Sequence, residues 1–119
     1  MYSRRVLEQF QNMAHAGNLP DADVRVKLEN PACGDVLELT MKIESGRIVA
    51  AKFRARGCVA AIACASQLTE MILNRTLAEA RSLHREQLLE ALDGLPEASM
   101  HASHLALDAL AAALKETGR

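Results

Sequence analysis

The chain has 119 residues and a mass of 12.9 kDa, a length that predicts one domain, residues 1–119, with a single core. Hydrophobic residues make up 50% and charged residues 24% of the chain, which is the balance of a globular protein. The net charge is −1, no basic block is present and only three residues are aromatic, so we do not expect nucleic-acid binding.

The compartment can be predicted from what the sequence lacks. No apolar run has the length of a signal peptide or of a membrane span, so we expect a cytoplasmic protein with reduced thiols and no membrane partner. The three cysteines are an odd number, which argues against a disulfide framework. Cys33, Cys58 and Cys64 therefore each need a separate explanation.

The first half of the chain predicts a helix followed by three strands. Ser3 can cap a helix whose core face carries Val6, Leu7, Phe10 and Met13. Apolar and polar residues then alternate in 24–30, in 37–43 and in 49–55, where Val49, Ala51 and Phe53 are expected to face the core. Because the turns PACGD (31–35) and ESGR (44–47) are short, the strands should form an antiparallel meander.

The second half of the chain is helical. Apolar residues recur at helical spacing from Val59, Thr76 and Glu79 have capping-box spacing, and 86–92 predicts one more short helix. A last helix, rich in alanine and leucine, is predicted to begin at Ser99 or His101 and to reach Lys115. This order predicts an α+β fold, a two-layer domain with a three-stranded antiparallel sheet packed against helices.

The meander predicts that two cysteines meet at one edge of the sheet. Cys33 precedes the second strand and Cys58 follows the third, so both should lie beside Asp35. Cys58 also begins a helix, where free amide groups and the helix dipole favour a thiolate. The positive charges of the nearby Arg54 and Arg56 could also favour the thiolate, although their alternation is that of a solvated strand face.

The sequence gives weaker evidence for a metal-binding role of the other cysteine and of the histidines. Cys64 lies six residues after Cys58, about 240° around the helix, so we interpret it as a small core residue. His101 and His104 are three residues apart and could face one site, but this spacing alone does not make either a metal ligand.

Four segments together resemble a known family. YSRRVLEQFQN, NPACGD, GCVAAIACASQLTE and HASHLALDAL resemble the IscU family of iron-sulfur cluster scaffolds, which is equivalent to the amino-terminal domain of NifU. The combination of PACGD with GCxxAIAxxS is the specific part of this resemblance.

The resemblance implies a scaffold or carrier rather than an enzyme. Such a protein accepts sulfur from a cysteine desulfurase, binds iron, zinc or a transient [2Fe-2S] cluster, and passes the cluster to recipient apo-proteins. The implied site is Cys33, Asp35, Cys58 and His101, with Cys58 also a candidate persulfide acceptor.

Two departures from the family pattern keep other functions open. Ala102 stands where the family has a third cysteine, and LPEAS (95–99) lacks the lysine of the segment that docks an ATPase chaperone, so we do not expect dependence on that chaperone. One alternative is a zinc-binding, SufU-like protein that transfers sulfur as a persulfide. Another is a partner-binding module that has lost the cluster chemistry.

Overall fold

The computed structural model describes residues 1–12, 14–32 and 34–117 of the protein. Met13, predicted on the core face of the first helix, and Cys33 lie outside the described residues. The elements in chain order are α1 (Arg4–Gln11), β1 (Val24–Asn30), β2 (Asp35–Glu44), β3 (Arg47–Arg56), α2 (Val59–Ile72), α3 (Leu77–Arg81), α4 (Arg85–Ala91), a 3₁₀ turn (Glu97–Ser99) and α5 (His101–Thr117).

The strands form the predicted antiparallel meander in the order β1-β2-β3. Ser45 and Gly46 join β2 to β3 with positive φ values of 51° and 74°, the signs that a type I′ hairpin turn requires. Helices α2 and α5 pack against the sheet, which confirms the α+β prediction. Among the described residues, no helix combines the length and apolar character needed to cross a membrane.

A β-bulge changes which residues of β3 reach the core. The prediction that Val49 faces the core with Ala51 is wrong, because Ile48 is fully buried and Val49 only half-buried. The pairing shifts between Lys42 and Ile43, so that these residues oppose Ala50 and Ile48. Val49 is the extra residue of the bulge and has no partner on β2. The alternation therefore shifts by one residue before Val49, and Ile48 faces the core in its place.

Helix α1 buries a polar residue that the apolar pattern did not include in the core face. Leu7 was predicted in the core, but it is 46% exposed, whereas Gln9 is 2% exposed. The Gln9 side chain donates to Gln67 Oε1 at 3.1 Å and to Glu70 Oε1 at 3.2 Å, and it accepts from Ser66 Oγ. These bonds satisfy the buried amide, so the helix turns Val6 and Gln9 inward instead of Leu7.

Candidate metal centre

The beginning of β2 and the end of β3 meet at one edge of the sheet. Val36 opposes Arg56, so Asp35 lies beside the segment that leads from β3 to Cys58. The backbone N–H of Cys58 donates to Asp35 Oδ1 at 3.2 Å. The predicted proximity of Asp35 and Cys58 is therefore present, although 23 positions separate them in sequence.

Cys58 is the N-cap residue of α2. Its backbone is extended, with φ −72° and ψ 166°, and its sulfur accepts the N–H of Ala61 at 3.3 Å. This bond satisfies one of the free amide groups of the first helical turn and holds the thiol at the helix start. The residue is half-buried, so the sulfur remains within reach of a partner or a metal ion.

Helix α5 adds the imidazole of His101 to the same edge. Its Nε2 lies 3.1 Å from Asp35 Oδ2 and 4.0 Å from Cys58 Sγ, and Sγ lies 3.8 Å from Oδ2. The Asp35 side chain is 2% exposed and that of His101 is 30% exposed. The Asp35 carboxylate is therefore the most deeply buried of the three groups, and the His101 imidazole and the Cys58 thiol lie nearer to solvent.

The spacing of these three donor atoms fits a metal ion. Asp35, Cys58 and His101 each offer one ligand atom, and these three atoms lie within 4.8 Å of one another. Sulfur, nitrogen and oxygen ligands at the usual zinc distances of a tetrahedron stand about 3.3 to 3.6 Å apart. The observed separations of 3.1, 3.8 and 4.0 Å need only small side-chain movements to meet that geometry.

Gly57 makes room for the buried carboxylate. Its φ is +140°, a conformation that side chains strongly disfavour, and a Cβ added there would lie 2.1 Å from Asp35 Oδ1. Only glycine lets the chain pass this close to the carboxylate before Cys58. The sequence pattern did not single out Gly57, although a glycine between a strand and an N-cap is a signal that points to this role.

The fourth predicted site residue, Cys33, lies outside the described residues, so its role stays a prediction. Among the described residues next to it in sequence, the Asn30 carbonyl accepts the N–H of Gly34 at 2.8 Å. The Asn30 side chain also accepts the N–H of Ala32 at 3.1 Å. These bonds fix the residues on both sides of position 33 directly before Asp35.

The two histidines of α5 lie in different surroundings. His101 joins Asp35 and Cys58, whereas His104 is exposed and lines a groove of about 340 Å³ with His84 and Asp108. The structure therefore does not bring His104 into the group. Ala102, where the family pattern has a cysteine, directly follows His101 and is 1% exposed.

Cys64 is fully buried in the core, as predicted. Burial, together with the charge of the Cys58 thiolate, raises the pKa of the Cys64 thiol to about 12. A thiol that stays protonated is a poor nucleophile and a poor metal ligand, which agrees with the interpretation of Cys64 as a small apolar residue.

Comparisons with known proteins place this geometry in a family. Residues 1–118 match the family described as the NifU-like N terminal domain. The iron-sulfur cluster assembly scaffold protein IscU 1 of Archaeoglobus fulgidus is 44% identical over 114 residues, which cover 96% of this chain and 74% of that protein. The scaffold protein IscU of Azotobacter vinelandii is 41% identical over 119 residues, which cover 97% of this chain and 92% of that protein.

The fold has a solved counterpart. A crystal structure from Fervidobacterium islandicum, described as an iron-sulfur cluster assembly scaffold protein for the SUF system, superposes with a TM-score of 0.81 and covers 95% of this chain and 96% of that chain. At 19% identity, this likeness supports the fold alone. From the match over nearly its whole length and from relatives of this identity, the chain belongs to the NifU-like N-terminal domain family, as its resemblance to IscU predicted.

Proposed function

We propose that the protein is an iron-sulfur cluster assembly scaffold or carrier, whose cargo is held by Cys33, Asp35, Cys58 and His101. The observation that carries the proposal is the convergence of Asp35, Cys58 and His101 within 4.8 Å at one edge of a NifU-like fold. The names of the relatives, which are iron-sulfur cluster assembly scaffold proteins, support the same function.

The donors divide the work of holding and releasing a cluster. Thiolates are the preferred ligands of iron-sulfur clusters, so Cys58 and Cys33 would supply the strongest bonds. Asp35 would bind through Oδ2, because Oδ1 already accepts the N–H of Cys58. The cluster would have few strong ligands, because Asp35 offers a single oxygen and position 102 is alanine instead of the cysteine of the family pattern. Weak attachment favours transfer of the cluster over its storage.

Zinc or iron is the proposed occupant when no cluster is bound. Two thiolates, one imidazole and one carboxylate make four ligands of the kinds that tetrahedral zinc accepts. A bound zinc ion would supply charge that keeps the thiols deprotonated, while the residues of this chain fix the position of the site. The Cys58 N–H holds Asp35 Oδ1, which leaves Oδ2 free to bind the ion; the contact of His101 Nε2 with Oδ2 would give way to bonds from both atoms to the metal.

A scaffold also needs a sulfur donor and a recipient. We propose a cysteine desulfurase as the donor and apo-proteins as the recipients, since both partners follow from the chemistry of cluster assembly. Cys58 is half-buried and Asp35 is almost fully buried, so the thiol is the group that a partner protein would meet first.

The function can be tested by reconstitution with iron and sulfide under anaerobic conditions, followed by visible absorption and metal analysis. We expect the wild-type chain to form a short-lived cluster and Cys58→Ser to form none. His104→Ala is the matched control for His101→Ala, because His104 lies outside the group. If His101→Ala and His104→Ala reduce metal content equally, or Cys58→Ser retains its metal, the site assignment is wrong.

Sulfur transfer is a second candidate, favoured by the accessible position of Cys58 at a helix start beside a site that lacks a thiol at position 102. The Cys58 thiolate would attack the outer sulfur of a donor persulfide, forming a new S–S bond and releasing the donor thiolate. Mass spectrometry after incubation with a persulfide donor, without iron, would detect one added sulfur on Cys58. A persulfide together with a failure to hold any cluster would favour this candidate over the scaffold.

A further inference from the structure

The face of the sheet opposite the helices carries an excess of positive charge. Of the nine residues in the three rows that cross all three strands on this face, five are cations and two are carboxylates, in a chain whose net charge is −1. Cross-strand pairing aligns them in three rows, Glu29–Val36–Arg56, Lys27–Glu38–Arg54 and Arg25–Thr40–Lys52. Basic residues are therefore concentrated on this surface, the outer sheet face.

One of the three rows of the outer sheet face is covered by the chain itself. Gly17 N–H donates to the Phe53 carbonyl at 2.7 Å, and Leu19 N–H donates to Thr40 Oγ1 at 3.3 Å. Arg25 donates to the Leu19 carbonyl at 3.0 Å, so its guanidinium is bound to the same segment. The row that contains Thr40 is thus covered. The two rows nearer to Asp35, Glu29–Val36–Arg56 and Lys27–Glu38–Arg54, remain exposed and are called the open half below.

The cations of the open half form no ion pair with the residues that the structure describes. Lys27, Arg54 and Arg56 are exposed, and none of them forms a salt bridge with a described residue. Glu38 stands between Lys27 and Arg54 in the cross-strand register without pairing with either. Carboxylates from outside can therefore meet these three cations without displacing an existing ion pair.

The same residues form a shallow concave site. Lys27, Val36, Glu38, Arg54 and Arg56 line a cavity of about 300 Å³. Glu38 Oε1 is buried there and, in the part of the chain that the structure describes, has no hydrogen-bond partner. A buried acceptor without a donor is unfavourable, so a rotation of the Glu38 side chain that brings this oxygen to an N–H group of a docked peptide would be favourable.

The open half lies at the same end of the sheet as the candidate metal centre. Arg56 opposes Val36, the residue after Asp35, and β3 continues from Arg56 through Gly57 to Cys58. The Asp35 side chain belongs to the helix-covered face and Val36 to the outer face. A partner on the outer sheet face would therefore flank the edge at which the thiol is presented.

We propose that Lys27, Glu38, Arg54 and Arg56 dock an acidic segment of a partner protein. This inference rests on the proposed function, since a scaffold must be approached by the proteins with which it exchanges sulfur or clusters. Carboxylates would pair with the exposed cations, and a backbone N–H would bind Glu38. The face carries no aromatic residue for base stacking and has a carboxylate at its centre, so it fits an acidic peptide better than a nucleic acid.

The test uses a fluorescent twelve-residue peptide of alternating glutamate and alanine, with its glutamine analogue as the uncharged control. We expect saturable binding of the acidic peptide that weakens as salt rises, with NMR shifts confined to the open half of the face. The double reversal Arg54→Glu with Arg56→Glu should weaken binding by about tenfold or more. The matched control, Arg81→Glu with Lys115→Glu, makes the same change in net charge on exposed helical residues and should bind as wild type.

Several results would overturn the docking site. These are no binding, equal weakening in both double variants, NMR shifts away from the open half, or tighter binding of a single-stranded oligonucleotide of equal charge. Metal content is measured in the same samples. If the wild-type protein holds metal but does not bind the peptide, the docking site alone is refuted. If it holds neither metal nor cluster, the proposed function is refuted, and the peptide result still stands on its own.

Discussion

Replacing Gly57 by alanine should damage the candidate centre without touching any proposed ligand. The added Cβ would lie 2.1 Å from Asp35 Oδ1, far inside van der Waals contact, and φ is +140°. The unfavourable backbone conformation costs about 1–3 kcal/mol, and displacing the carboxylate from the Cys58 N–H costs about 1.5–3 kcal/mol more. We therefore expect Gly57→Ala to lower the free energy of unfolding by about 2.5–6 kcal/mol.

Gly94→Ala is the matched control for this substitution. Gly94 also has a positive φ, 85°, but no atom lies within 4 Å of a Cβ built there, so only a backbone cost of about 1–2 kcal/mol is expected. In thermal unfolding, Gly57→Ala should thus melt about 10 °C below Gly94→Ala. It should also lose metal affinity, whereas Gly94→Ala should retain it.

A double-mutant cycle identifies the cause of the loss. If the collision with the carboxylate matters, Gly57→Ala should cost about 1.5–3 kcal/mol less in an Asp35→Ala background than in the wild type. An equal cost in both backgrounds would refute the contact with Asp35 and would leave only the backbone conformation as the explanation.

Three further predictions follow from buried groups. The pKa of Cys64 is raised to about 12 in the folded protein, so the unfolded chain loses the thiol proton first as pH rises above about 9. The free energy of unfolding should therefore fall by up to about 1.4 kcal/mol per pH unit towards pH 12. Urea unfolding at pH 8 and pH 10 should show this loss in the wild type and lack it in Cys64→Ala. Gln9→Ala should lower the free energy of unfolding by about 2–4 kcal/mol, because Ser66 and Gln67 lose their buried hydrogen-bond partner. Its control, Gln11→Ala on the exposed face of α1, should change that free energy by less than about 0.5 kcal/mol. Similar values for the two variants would contradict a stabilising role of the Gln9 hydrogen bonds. Ala102→Cys should lengthen the lifetime of a reconstituted cluster measured by visible absorption, and an unchanged lifetime would show that the third thiol was never limiting.

The sheet and its metal-site edge could be predicted because short-range patterns determine them. Alternation in 24–30 and 37–43, with two short turns, leaves an antiparallel meander as the simple solution. Once the strands are paired, Asp35 and Cys58 must be neighbours, whatever packs above them. The prediction needed no knowledge of the helices.

The errors arise where distant residues decide the outcome. Nothing in the alternation of β3 reveals the bulge that buries Ile48 in place of Val49, because the bulge is defined by the pairing with β2. Leu7 was placed in the core because it is apolar, but Gln67 and Ser66 on α2 supply bonds that bury Gln9 instead. Helical periodicity cannot include partners that lie more than 50 positions away.

The histidines show the same limit at the candidate centre itself. His101 and His104 have equal chemistry and nearly equal positions on α5, and only the docking of that helix against β1 and β2 decides which one reaches Asp35. The three donors thus come from the start of β2, the N-cap of α2 and the start of α5. Asp35, Cys58 and His101 come together only when all three segments are docked, because 23 positions separate Asp35 from Cys58 and 43 separate Cys58 from His101. Metal binding should consequently be linked to folding of the whole domain, so a bound ion stabilises the packing of α5 on the sheet as much as it occupies the site.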